Sequence, residues 1–162
     1  MNKVEAGPGQ ESVWDYPRPP RLEESSELIR VEFNGKEIVR SDRSKRVLET
    51  SHPPVYYIPQ EDIQMAYLQP ISGTTYCEWK GQAHYFNVIV GEKKADKAAW
   101  YYPNPMTAFK DIAGHVAFYA HKMDACYVGD QKVNAQKGGF YGGWITPDIV
   151  GPFKGEPGSA GW

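Results

Sequence analysis

Glu78 and Lys80 stand two residues apart in the stretch TTYCEWKGQAHYF, residues 74–86, whose texture is otherwise that of a protein interior. A carboxylate and an ammonium on one concave surface could handle a proton or a hydroxyl and bind an anion. A lysine in a partly dry pocket shifts its pKa readily, which suits either role. The same spacing describes the wet face of a strand, with a surface ion pair worth about 0.2–1 kcal/mol. His52 and His115 are the second candidates, each standing just ahead of an aromatic run. Paired across a symmetry axis they would form a general acid–base couple or a two-histidine metal site; apart, they are ordinary hydrogen-bonded histidines. The third group is aromatic: Tyr56, Tyr57, Trp100, Tyr101, Tyr102 and Tyr119. As a cage it would receive a flat or cationic ligand by stacking or cation–π contact, and otherwise it is core. His84 and His121 have no partner pattern and read as structural. The GxSxG nucleophile elbow is absent. Cys77 as a nucleophile with His84 or His115 competes with the commoner role of a buried structural cysteine.

These residues need strands to position them. Side chains alternate along a strand, so Tyr76, Glu78 and Lys80 should point one way and Thr75, Cys77 and Trp79 the other. Cys77 and Trp79 then join the apolar Phe86, Val88 and Val90 face, and the Tyr76 face meets water or a cleft. That makes Trp79 a core aromatic whose truncation costs about 3–5 kcal/mol. In AAWYY, three consecutive aromatics cannot share one face, so at least one of Trp100, Tyr101 and Tyr102 looks away from the core.

The clearest local signal is LIRVEF and KEIVRS around Asn34-Gly35, a pair that tolerates the positive φ of a type I′ turn. It predicts a hairpin over 28–40 with Val31 and Phe33 inward. Further strands are expected at 55–58, 98–102 and HVAFYA. Two more hairpins are expected, at 74–90 turning at Gly81 and at DACYVGDQKV turning at Gly129-Asp130. One or two helical turns are expected in PQEDIQMAYLQP, ended by Pro70, and a short helix in TAFKDIAG, capped by Thr107 and ended by Gly114. Residues 1–27 read as an extended, Pro-rich arm lying on the domain surface, since Trp14 and Tyr16 have little use in a free tail. Residues 28–137 form the β-rich core. Residues 138–162 hold half of the glycines, interleaved with Phe140, Tyr141, Trp144, Phe153 and Trp162, and read as a tail that wraps the core with aromatic plugs. A phosphate loop lacks the GxxxxGK[ST] spacing there. An echo links RVEFNGKEIVRSD…HPPVYYIPQED to NVIVGEKKADKA…GHVAFYAHKMD: each has a hairpin, a His, an aromatic strand and an Asp five residues after a Tyr. An internal pseudo-duplication would explain it.

The chain has 162 residues, enough for one domain with a sizeable core, and a net charge of -2 without a dense basic run, which argues against nucleic acid. There are two cysteines, Cys77 and Cys126, and no CxxC motif, so no cofactor is indicated, no metal ligands stand out and a structural zinc is not encoded. No segment approaches a membrane span and none resembles a signal peptide, so the expected location is the cytoplasm, with both thiols reduced.

VWDYPRPP, VLETSHPPVYYIP, TTYCEWKGQAHYF, AAWYYPNP, GHVAFY and GGFYGGWITPDIVGPFKG together resemble a bacterial family, domain of unknown function 427, over about residues 12–162. That family also carries a nucleotidyltransferase-like label. The resemblance implies a small all-β fold of coiled antiparallel hairpins, similar to the β-tent folds of Mss4-like proteins and methionine-R-sulfoxide reductases, with a concave sheet face for a ligand. The two CxxC motifs that hold metal in those relatives are missing here, and so is the DxD-type acidic pair that nucleotidyl transfer requires.

The favoured reading is a small-molecule-binding all-β domain, mainly β with one or two short helices, whose aromatic-lined concave site lies at the 74–90 hairpin. Glu78, Lys80 and His115 are its candidates for catalysis. His52, Tyr57, Tyr76, Trp100, Tyr102 and Tyr119 are its candidate ligand contacts. The alternatives are an enzyme acting on a small, phosphorylated or nucleotide-like metabolite, and a homo-oligomeric interaction module.

Overall fold

A computed structural model of the chain describes residues 3–162. Its first strands are β1 (Glu11–Ser12), β2 (Arg21–Ser25), β3 (Ile29–Phe33), β4 (Lys36–Ser41), β5 (Ser44–Leu48) and β6 (Val55–Tyr57). The long central strands are β7 (Leu68–Cys77), β8 (Gly81–Val90) and β9 (Lys93–Tyr101). Shorter ones follow: β10 (Val116–Phe118), β11 (Ala125–Val128), β12 (Gln131–Lys132), β13 (Asn134–Ala135), β14 (Trp144–Ile145) and β15 (Ile149–Val150). The fold is all-β.

Two four-stranded antiparallel sheets, ordered β10-β9-β8-β7 and β12-β11-β3-β4, face one another, and a three-stranded sheet, β2-β5-β6, stands beside them. The Asn34-Gly35 turn forms as its sequence predicts, with φ of 48° and 77° at the two residues. Between the large sheets lies one core, in which Val31, Phe33 and Val39 meet Phe86, Val88 and Val90, with Trp144 of the tail closing it. A second core on the opposite face of β8 and β9 gathers Tyr57, Tyr85, Trp100, Tyr102, Phe109 and Tyr119. The middle of β8 is therefore buried on both faces, which is why Tyr85, Phe86, Asn87 and Val88 are all buried and the strand does not alternate cleanly.

The expected helical segments form, as short 3-10 turns, though not with the expected ends. Residues Gln60–Asp62, Met65–Tyr67 and Thr107–Ile112 form 3-10 turns. The expected helix ending at Pro70 gives way to β7, which begins at Leu68; Pro70 is accommodated because β7 is an edge strand. In the second segment Phe109 leaves the helical region (φ -117°), and no side chain caps the turn, Met106 rather than Thr107 preceding it.

The N-terminal stretch contributes β2 to a sheet, and its β1 lies parallel to β15 of the tail. Trp14 donates its indole N–H to the Pro152 carbonyl (2.9 Å) and meets Trp162 edge to face. The two stretches that echo one another meet where Ile58 and Val116 exchange backbone hydrogen bonds of 2.9 Å each. Their terminal aspartates each tie back to a hairpin: Asp62 accepts from Ser41 Oγ and Arg43, Asp124 from the Asn34 amide and Lys93. Among the described residues no helix is long and apolar enough to cross a membrane.

Candidate functional site

Strand β7 ends at Cys77 and β8 starts at Gly81, so Glu78, Trp79 and Lys80 are the turn between them and not part of an alternating face. Cys77 pairs with Gly81 and Thr75 with Ala83. A three-residue turn of this kind has the opposite parity to a two-residue one, and parity decides the face of every side chain. Cys77 and Trp79 accordingly pack with Tyr85 in the second core, not with Phe86 in the first. Thr75 Oγ1 meets the Tyr85 hydroxyl at 2.6 Å on that same side. The Lys80 carbonyl accepts the Met106 amide (2.9 Å), fixing the turn to the loop ahead of Thr107.

The turn opens onto a cavity of about 280 Å³. Tyr57 of β6, Tyr85 of β8, Trp100 of β9 and, just beyond β9 and β10, Tyr102 and Tyr119 form its walls. Glu49, His52, Glu78 and Lys80 also line it, and Tyr76 stands at its edge, 70% exposed. Trp100 donates its indole N–H to Tyr57 Oη (3.4 Å) and packs on Tyr119 with centroids 4.5 Å apart. Tyr101 is the aromatic that turns away, stacking on Phe86 in the first core at 4.9 Å. Tyr56 also faces elsewhere, against Trp144.

Glu78, Lys80, His52, Tyr57, Tyr76, Trp100, Tyr102 and Tyr119 thus border one space, and His115 does not. It lies in a separate polar groove with Glu24, Arg43, Glu61 and Asp111, its Nδ1 3.3 Å from the Ala113 carbonyl. The two histidines form no couple: His52 borders the aromatic cavity and His115 the polar groove.

Burial sets the electrostatics. It pushes the Tyr57 and Tyr102 phenols well above their ordinary range and Tyr119 up to about 12, so all three remain neutral O–H donors at pH 7. Burial also lowers His52, which stays neutral despite Glu49 nearby. Its Nδ1 lies 3.0 Å from the Thr50 carbonyl, an acceptor only, so the ring proton sits on Nδ1 and Nε2 keeps a lone pair. Glu49 is engaged by Arg18 at 3.4 Å. The Lys80 ammonium lies 5.9 Å from the Tyr102 ring and 6.0 Å from Phe109, and among the described residues it has no carboxylate within 4.0 Å. Glu78 and Lys80 are therefore not an ion pair. Among the described residues no three or more His, Cys, Asp or Glu side chains gather as a metal site.

The sequence reading did not assign Glu49 or Tyr85 to the site, and it expected Phe140 and Tyr141 as plugs on the core without assigning them to this cavity, which the segment Phe140–Gly142 lines. Tyr119 donates to the Phe140 carbonyl (3.1 Å), and a Cβ on Gly142 would sit 2.1 Å from Trp100 Cη2. The signal was available in GGFYGG: glycines framing two aromatics mark a place where backbone must approach a ring closely.

No curated protein matches the chain. A sequence family described as Domain of unknown function (DUF427) matches residues 21–129, which span β2 to β11 with every wall residue of the cavity but not the tail over it. The chain belongs to that family, Domain of unknown function (DUF427).

Proposed function

We propose that the chain binds a small molecule in the aromatic cavity at the tip of the β7–β8 hairpin. The observation that supports this most is convergence: one space of about 280 Å³ walled by aromatics from separate strands, with an unpaired ammonium at its edge. Structural cores are filled to crystal-like density, whereas ligand sites are concave, mostly apolar and furnished with a few polar groups. The β-tent likeness belongs to the same reading, as does a cytoplasmic setting in which Cys77 stays a thiol. Single-ring compounds are the test. A ligand at 100 times its Kd adds about 2.7 kcal/mol, or roughly 5–10 °C for a chain of this size. The expected result is such a shift for some compounds, together with protection of Cys77 from alkylation by the same compounds. Shifts without protection of Cys77 would place the binding elsewhere and end this reading.

Catalysis on a small, phosphorylated or nucleotide-like metabolite is the second reading, and His52 favours it. A neutral imidazole with Nδ1 tied to a carbonyl presents Nε2 as a base. His52→Gln would then abolish turnover while leaving ligand affinity within a few-fold; unchanged turnover would remove it. A homo-oligomeric module draws on Tyr76 and Phe140, exposed by 70% and 67% beside the cavity. Light scattering that finds only monomer would dismiss it.

A further inference from the structure

Resting on the binding reading above, we infer the class of ligand: a single flat ring carrying one negative charge, seated on Trp100 and Tyr102 with its anionic group at Lys80.

Volume sets the size. A dry cavity of about 150 Å³ holds benzene. The 280 Å³ here has room for one ring and a small substituent, and is too small to enclose a nucleoside triphosphate. The walls set the shape, since the space is bordered by the rings of Tyr57, Tyr85, Trp100, Tyr102 and Tyr119, and aromatic walls favour a planar ring packed among them.

Charge follows from which polar groups already have partners. Glu49 is held by Arg18, and the His52 Nδ1–H is spent on Thr50. Lys80 is half-buried against the Tyr102 and Phe109 rings and has no carboxylate within 4.0 Å among the described residues. A half-buried ammonium without a counter-charge in reach gains from an incoming anion. Tyr57 and Tyr102 add neutral O–H groups, which can donate to an anionic oxygen but cannot neutralise a cation. Glu78 is the opposing charge. It is exposed and solvated, so it weakens an anion's hold without reversing it.

The test uses three probes of one shape, benzoate, benzamide and benzylamine, titrated into the intact chain by calorimetry at fixed salt. Wild type, Lys80→Met and Glu78→Gln are compared. Benzoate should bind tightest. Lys80→Met should weaken benzoate about tenfold or more, the scale of a charge-assisted contact, and change benzamide less than about twofold. Glu78→Gln should tighten benzoate slightly. Benzylamine binding tightest, or Lys80→Met weakening benzamide as much as benzoate, would overturn the assignment of charge while leaving the cavity as a binding site. Absence of binding by all three to folded wild type would overturn the binding reading itself, and this inference with it.

Discussion

Replacing Gly142 by alanine tests whether the tail closes over the cavity. The new Cβ would stand 2.1 Å from Trp100 Cη2, more than an ångström inside ordinary contact, and 2.8 Å from Cζ3. The indole cannot swing clear cheaply, because Tyr119 packs against it at 4.5 Å and Tyr57 holds its N–H. The tail segment must move instead, straining the Tyr119 bond to the Phe140 carbonyl. Overpacking of this kind costs about 1–3 kcal/mol, which for a chain of this size lowers Tm by roughly 2–12 °C. Differential scanning calorimetry reads it. Gly161→Ala is the control, since a Cβ there meets open space, and it should leave Tm unchanged. Gly142→Ala melting with wild type would refute the packing of the tail on Trp100 and open the cavity on that side.

Other outcomes follow from the same packing. Trp144, 1% exposed and donating to the Phe118 carbonyl, should cost about 3–5 kcal/mol as Trp144→Ala in urea unfolding; a near-neutral result would contradict its place in the first core. Trp79 sits half-buried in the cavity turn, so Trp79→Ala should cost less than about 1.5 kcal/mol, and a loss like that of Trp144 would return it to the core. Native alkylation followed by mass spectrometry should add one label, at Cys77, because Cys126 is 2% exposed and burial pushes its thiol up; labelling of Cys126 first would contradict this. His52 has a lowered pKa in the fold, so below its ordinary 6.5 the unfolded chain takes a proton that the folded chain resists, and stability falls with pH. His52→Asn, which can keep a donor toward Thr50, should flatten that slope between pH 7 and 5, and an unchanged slope would mean His52 does not contribute.

Much of this was legible because it depends on local chemistry. Asn34-Gly35 specifies its turn by tolerance of positive φ, and Val31 and Phe33 follow by alternation. The all-β class follows from the density of aromatic and β-branched runs. What sequence could not show depended on parity and closure. The turn falls at residues 78–80, ahead of Gly81, and the pairing of Cys77 with Gly81 sets Cys77 and Trp79 on the Tyr85 side and not on the Phe86 side. That pairing put Glu78, Trp79 and Lys80 into one space. His115 was drawn into the site by a sequence echo, and the fold carries it to another groove. The short helical turns were legible, but their ends were not: β7 already begins at Leu68, ahead of Pro70, and Met106 rather than Thr107 precedes the Thr107–Ile112 turn.

The central claim is that the aromatic cavity binds a small molecule, and mapping the binding surface tests it most directly. Amide and indole resonances of the labelled chain would be followed while benzoate, benzamide and benzylamine are titrated in turn. The account predicts saturable shifts confined to residues bordering the cavity, namely His52, Cys77 to Lys80, Trp100, Tyr102 and the Phe140–Gly142 segment, with the Trp100 indole moving most. Shifts centred instead on the polar groove of His115 and Glu61, or no saturable shift at all, would contradict it.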